Sequence, residues 1–113
     1  MTPNEYQKLA LRTETNIADD DFYLRLLQGL MGLSGESGEC LDLLKKTIFQ
    51  GHDLDRDHLA KELGDVSWYL AISANAIGYD LETIFQMNID KLKARYPEGF
   101  DAEKSIHRLD TDI

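Results

Sequence analysis

Glu36 and Glu39 stand three residues apart, and so do Glu62 and Asp65. On a helix that spacing puts both members of a pair on one face. Two such faces packed together would gather four carboxylates, which no fold tolerates without cations, and an all-oxygen ligand set suits Mg²⁺ first and Mn²⁺ second. Spacing alone decides little, because a chain this acidic holds about four such pairs by chance, and four occur, at 36/39, 39/42, 62/65 and 98/101. Position on the helix decides more. With Leu59, Val66, Leu70 and Ile77 marking the centre of one apolar sector and Tyr69, Ala76 and Ile72 widening it, Glu62 and Asp65 fall inside the extension and are expected to point inward. An unpaired carboxylate in such a place needs a proton, a basic partner or a metal ion.

The stretch before it reads less simply. Leu26, Leu30, Leu33, Leu41, Leu44 and Ile48 form a stripe with Glu36 on its flank and Glu39 nearly opposite, and Leu43 hints at a second buried face. Solvated surface acids are the plain alternative for Glu36 and Glu39. A di-iron carboxylate bundle would need Glu-x-x-His, and none of His52, His58 and His107 follows a Glu by three.

A second group complements the acids. Asn88, Lys91 and Arg95 recur at helical spacing and present an amide and two cations on one face. Near a helix C-terminus such cations are also favoured by the dipole, so they carry meaning only beside an acidic metal site. There they would take the charge of a polyphosphate whose oxygens the metal bridges. Trp68 and Tyr69 follow the second acid pair and would either stack a base or serve as core. Gly29, Gly32, Gly35 and Gly38 recur every third residue. A phosphate-cradling loop is one reading, but no strand precedes them and the Gly-Lys-Ser/Thr ending is absent. Bare backbone that lets a neighbour come close, or a break in the helix, is the other.

The elements that must position these residues are helices. Thr2-Pro3-Asn4-Glu5 is a capping box with proline at the first helical position, predicting a helix that runs toward Ile17. Asp19-Asp20-Asp21 heads a long second helix, Phe22 to Phe49, closed by Gln50-Gly51. Asp55 or Asp57 caps a third that ends before Gly78, Asp80 a fourth from Leu81 to Arg95, and a short fifth follows Asp101. With no alternating strand and no Asn-Gly or Asp-Gly turn, the fold class is all-α, a four- to five-helix bundle. The 113 residues make one domain, taken as 1–113, and 42% of them are hydrophobic, too many for a disordered tail. No window resembles a membrane span or a signal peptide, and the lone Cys40 fits a reducing compartment, so a cytoplasmic protein is expected. The net charge of −9 argues against nucleic acid as a partner. A third helix apolar over so much of its circumference points to a homo-oligomer.

Three ordered blocks resemble a family. Gly32-Leu33-x-Gly35-Glu36-x-Gly38-Glu39, Glu62-Leu63-Gly64-Asp65-Val66-x-Trp68-Tyr69-Leu70 and Asn88-x-x-Lys91-Leu92-x-x-Arg95-Tyr96-Pro97-x-Gly99-Phe100 are similar to the MazG-like nucleotide pyrophosphohydrolases of the all-α NTP pyrophosphatase superfamily. The resemblance covers about residues 28 to 100. It implies a helical protomer assembled as a dimer or tetramer that hydrolyses a nucleoside triphosphate, canonical or non-canonical and in the first instance deoxy, to the monophosphate and pyrophosphate with Mg²⁺, in cleaning the nucleotide pool. By matching position it implies Glu36, Glu39, Glu62 and Asp65 as metal ligands and catalytic residues, and Asn88, Lys91 and Arg95 as phosphate contacts. Many members open the first motif with a doubled Glu, whereas Gly35 precedes Glu36 here, a departure from the family at the position of a fifth carboxylate. Two rivals stay open: a nucleotide- or Mg²⁺-binding module without turnover, and a structural acidic bundle acting through a protein partner.

Overall fold

Each helix starts at a polar side chain that satisfies its first free N–H groups. Thr2 and Glu5 cap each other's backbone N–H at the head of α1 (Pro3–Leu11). Asp21 accepts from Leu24 N–H ahead of α2 (Phe22–Gln50), and Asp55 from His58 N–H ahead of α3 (Arg56–Ala76). Asp80 and Asp101 do the same for α4 (Leu81–Arg95) and α5 (Ala102–Ile106). The computed structural model describes residues 1–15 and 21–108, so Ile17, Asp19 and Asp20 lie outside the described residues. Among those described there is no strand, and no helix is long and apolar enough to cross a membrane.

The first helix stops short of the predicted extent. Its Ala10 carbonyl accepts the Thr13 hydroxyl at 2.9 Å and the Trp68 indole N–H at 3.0 Å. A tertiary contact thus takes the place of the next turn. The second helix runs through all four glycines without a break and ends at Gly51, whose φ of 73° is a left-handed conformation that favours glycine. A Cβ on Gly32 would overlap the Tyr69 ring and one on Gly29 the Ser73 hydroxyl, while Gly35 and Gly38 meet nothing. Close approach is therefore the role of the first two only.

Gln7 joins three helices. Its amide N–H groups donate to the Ala71 and Tyr79 carbonyls at 3.1 and 3.2 Å, and its carbonyl accepts the otherwise orphaned Leu81 N–H of α4 at 3.1 Å. Asn4 adds two hydrogen bonds to Glu82. Around this junction lies a small core of Ala10, Ala71, Ala74 and Leu81, flanked by Tyr6, Trp68, Leu70 and Ile84. The core expected from Leu59, Val66, Leu70 and Ile77 is displaced toward the C-terminal end of α3, because α1 and α4 close over it only there; Ile77 is exposed.

Much apolar surface stays bare, and it lies on α2 and α4 more than on α3. Leu30, Leu41, Leu44 and Ile48 of the leucine stripe are exposed, as are Phe85, Met87, Ile89 and Leu92. The half-buried row Leu33, Glu36, Cys40 and Leu43 instead continues the face that Gly29 and Gly32 turn toward α3. The Cα radius of gyration is 17.2 Å, against about 13 Å for a compact domain of this length. The accessible surface is 8532 Å², against about 6300 Å² for a compact monomer of this mass.

The glycine contrast is testable by thermal or urea unfolding. Gly32→Ala should destabilise by about 1–2 kcal/mol, the overlap with Tyr69 outweighing the gain in helix propensity. Gly35→Ala, with open space around it, should stabilise by up to about 1 kcal/mol. Equal effects of the two substitutions would contradict the close approach.

Candidate functional site

The connection from Gly51 to Asp55 returns α3 antiparallel along α2, with Gly29 opposite Ser73 and Gly32 opposite Tyr69. One turn further along α2, the same register sets Glu36 opposite Glu62 and Asp65. Carboxylate oxygens of these three lie within 4.8 Å of one another. Glu36 is hydrogen-bonded to Glu62, and that bond raises its carboxyl pKa above the ordinary value, with desolvation and the charges of Asp65, Glu62 and Glu39 adding to the effect. Glu39 is exposed and stands outside the gathered three. The structure thus brings together three of the four acids singled out in the sequence.

Their depth differs from the inward placement expected. Glu62 is partly buried and Asp65 exposed, and the fully buried residues of α3 lie further along, at 71–74. The site is the open rim of a helix seam. Asp42, three residues from Glu39, shows what the spacing means elsewhere: Lys45 and Lys46 approach it at 3.0 Å each and hold its carboxyl below the ordinary range.

Beside the acids is a concavity of about 310 Å³ lined by Glu36, Asp65, Trp68 and Tyr69. The two rings meet edge to face, centroids 4.9 Å apart. Trp68 is pinned from behind, its indole N–H donating to Ala10 carbonyl and, at 2.8 Å, to Thr13 Oγ1. Tyr69 is fixed over Gly32. The aromatic pair therefore forms a rigid wall next to the carboxylates. Tyr6 of α1 also feels Asp65: burial first and that negative charge second raise its phenol pKa.

None of Asn88, Lys91 and Arg95 lines this concavity within the protomer. Asn88 and Lys91 are exposed, and Arg95 lines a separate hollow of about 400 Å³ with Asp101, Glu103, Lys104 and His107. The α4 helix is held at its N-terminal end, through Leu81 and Glu82, and residues 85–94 are exposed. Sequence reasoning also passed over His58, whose Nε2 lies 3.3 Å from Glu62 Oε1. The His-x-x-x-Glu spacing was the available signal, hidden by a search confined to Glu-x-x-His.

An oxygen-only cluster of three carboxylates within 4.8 Å of one another fits a hard divalent cation. The profile of the MazG nucleotide pyrophosphohydrolase domain matches residues 26–100, a span that holds the acid cluster, its aromatic wall and the α4 block. The chain belongs to the MazG family. The "Gene 37 protein" of Mycobacterium phage L5 is similar, 41% identical over 73 residues that cover 61% of this chain and 64% of that protein. The chain thus aligns with less than two thirds of that relative's length. No solved structure matches. In this MazG domain α1 lies outside the matched span, yet it supplies the Ala10 and Thr13 contacts that pin Trp68.

The raised Glu36 pKa has a definite sign in stability. Folded protein binds a proton that unfolded protein has lost above the ordinary value of 4.5, so this contribution is full below 4.5 and disappears as pH rises through the folded pKa. In EDTA, the Tm of Glu36→Gln minus that of wild type should grow as pH rises from 4.5 toward neutrality. A difference independent of pH would sink this account of the Glu36–Glu62 bond.

Proposed function

We propose that this MazG protein hydrolyses a nucleoside triphosphate to the monophosphate and pyrophosphate with Mg²⁺, Mn²⁺ substituting. The observation that carries the reading is the gathering of Glu36, Glu62 and Asp65 within 4.8 Å beside a concavity walled by Trp68 and Tyr69. Glu36, Glu62 and Asp65 would hold the cation, and Glu39, one helical turn from Glu36 at its edge, would extend the ligand set. When bound, the divalent cation supplies Lewis acidity to the phosphate chain and acidifies water. Trp68 and Tyr69 offer faces for the base and sugar and keep water from one side of the hollow. A carboxylate of the cluster accepts the proton of the water that attacks the α-phosphorus, and pyrophosphate leaves against the positive charge of Lys91 and Arg95. A nucleoside triphosphate substrate and a lone thiol at Cys40 suit the cytoplasm.

Mixed canonical, deoxy and modified triphosphates with Mg²⁺ should release pyrophosphate and not orthophosphate. The same panel identifies the preferred base and sugar. Glu36→Gln, Glu62→Gln and Asp65→Asn should each lower the rate by roughly 100-fold or more, the scale of losing one group that stabilises developing charge. Nucleotide binding without pyrophosphate release would instead favour a binding module, and full turnover in Asp65→Asn would remove the metal assignment.

The protein assembles as a dimer or tetramer in this reading. The excess of accessible surface, 8532 Å² against about 6300 Å², is of the order an obligate subunit buries. Because Asn88, Lys91 and Arg95 do not line their own protomer's concavity, they would reach a site only in the assembled protein. Sedimentation should give a mass of two or four chains, and mixing Asp65→Asn with Lys91→Ala protomers should recover part of the activity each lacks. A monomer that turns over at the full rate would contradict both points.

A further inference from the structure

We propose that His58 is a positioning residue that holds the Glu62 carboxylate in place for the divalent cation, an inference that rests on the metal reading of the acidic cluster. His58 sits in the first turn of α3, where its backbone N–H donates to the Asp55 cap at 3.0 Å. That cap fixes the start of the helix and hence where the imidazole projects. Glu62 follows one turn later on the same face, and His58 Nε2 comes to 3.3 Å from Glu62 Oε1. The imidazole lies half in solvent, with 51% of its side chain exposed, and covers the outer edge of a Glu62 side chain that is 20% exposed. It reaches the carboxylate from outside the cluster.

The gathered oxygens belong to Glu36, Glu62 and Asp65, and no histidine joins them. His58 is thus placed to hold a ligand rather than to be one. Glu62 has two competing partners in the metal-free protein, His58 and Glu36. Without an outer N–H donor it is free to turn wholly toward Glu36, and a cation must then reorder it before binding. With His58 donating to Oε1, the Glu62 carboxylate is held from its outer side in the orientation in which it faces Glu36 and Asp65. Outer partners of metal-binding carboxylates act in this way, and their loss costs about 10- to 100-fold in metal affinity or activity.

The test is a Mn²⁺ titration followed by electron paramagnetic resonance on the full metal-free chain, for wild type, His58→Ala and His58→Gln, with melting curves in EDTA alongside. His58→Ala should weaken Mn²⁺ binding by about 10-fold or more and raise the Mg²⁺ concentration for half-maximal pyrophosphate release, with kcat at saturating Mg²⁺ kept. His58→Gln, which keeps an N–H donor at similar reach, should recover most of the affinity. The EDTA melting curves should show all three folded, because the cap acts through the backbone of residue 58. Wild-type affinity in His58→Ala, or a loss that His58→Gln fails to recover, overturns the role of His58 and leaves the metal site standing. Absence of specific Mn²⁺ binding in wild type overturns the metal reading and this inference with it.

Discussion

Two helices run side by side at close range only where one of them gives up side chains at the crossing. Here α2 does so at Gly29 and Gly32, which accept Ser73 and Tyr69 from α3. Everything chemical in the protein follows from that contact. It sets the distance between the two helices, and the antiparallel register it fixes carries Glu36 to Glu62 and Asp65. A wider seam would part the carboxylates; a slip of one residue would turn them to different faces. The two glycines therefore cost helix propensity in order to bring like charges together, an arrangement with a use only if something positive enters between them.

The rest of the molecule supports that seam from one end. Residues 71–74 of α3 are buried, whereas residues 63–65 are exposed. The acids thus sit at the open end of a structure that is anchored elsewhere. Trp68 lies at the boundary: its indole is tied to the end of α1, and its ring edge lines the hollow beside Glu36 and Asp65. It serves packing and site at once, so the choice posed by its sequence position, stacking surface or core, is not exclusive.

What was legible in the sequence was local. Caps at Thr2, Asp21, Asp55, Asp80 and Asp101 act within a turn of the backbone they satisfy, so four of the five helix starts were readable to the residue and the start of α3 to within two. The i,i+3 spacing put each acid pair on one face, and of the four carboxylates that antiparallel packing would gather, three come together, Glu36, Glu62 and Asp65. The end of α1 was not readable: its Ala10 carbonyl is shared between Thr13 and Trp68, 58 residues away. Nor was the bare leucine stripe of α2: a helix wheel shows that Leu30, Leu41, Leu44 and Ile48 share a face but not which neighbour covers it. The narrow row through Gly29, Gly32, Glu36 and Leu43 meets α3 because glycine contributes nothing to a hydrophobic pattern while permitting the closest contact. The α4 block was placed on one face by its spacing, and its distance from the acids is a tertiary fact that no periodicity contains.

Gln7 gives the junction of α1, α3 and α4 a particular kind of cooperativity. Its single amide bonds the Ala71 carbonyl of α3, the Tyr79 carbonyl of the α3–α4 turn and the first N–H of α4. Peeling α1 away would strand all three groups together, so these segments open as one unit or not at all. The later turns of α4 lie beyond this tie, which grips the helix at its first residue. The stretch that carries Asn88, Lys91 and Arg95 is thus joined to α1 and α3 through the start of its own helix, and the position of Gln7 bears on where that whole face lies.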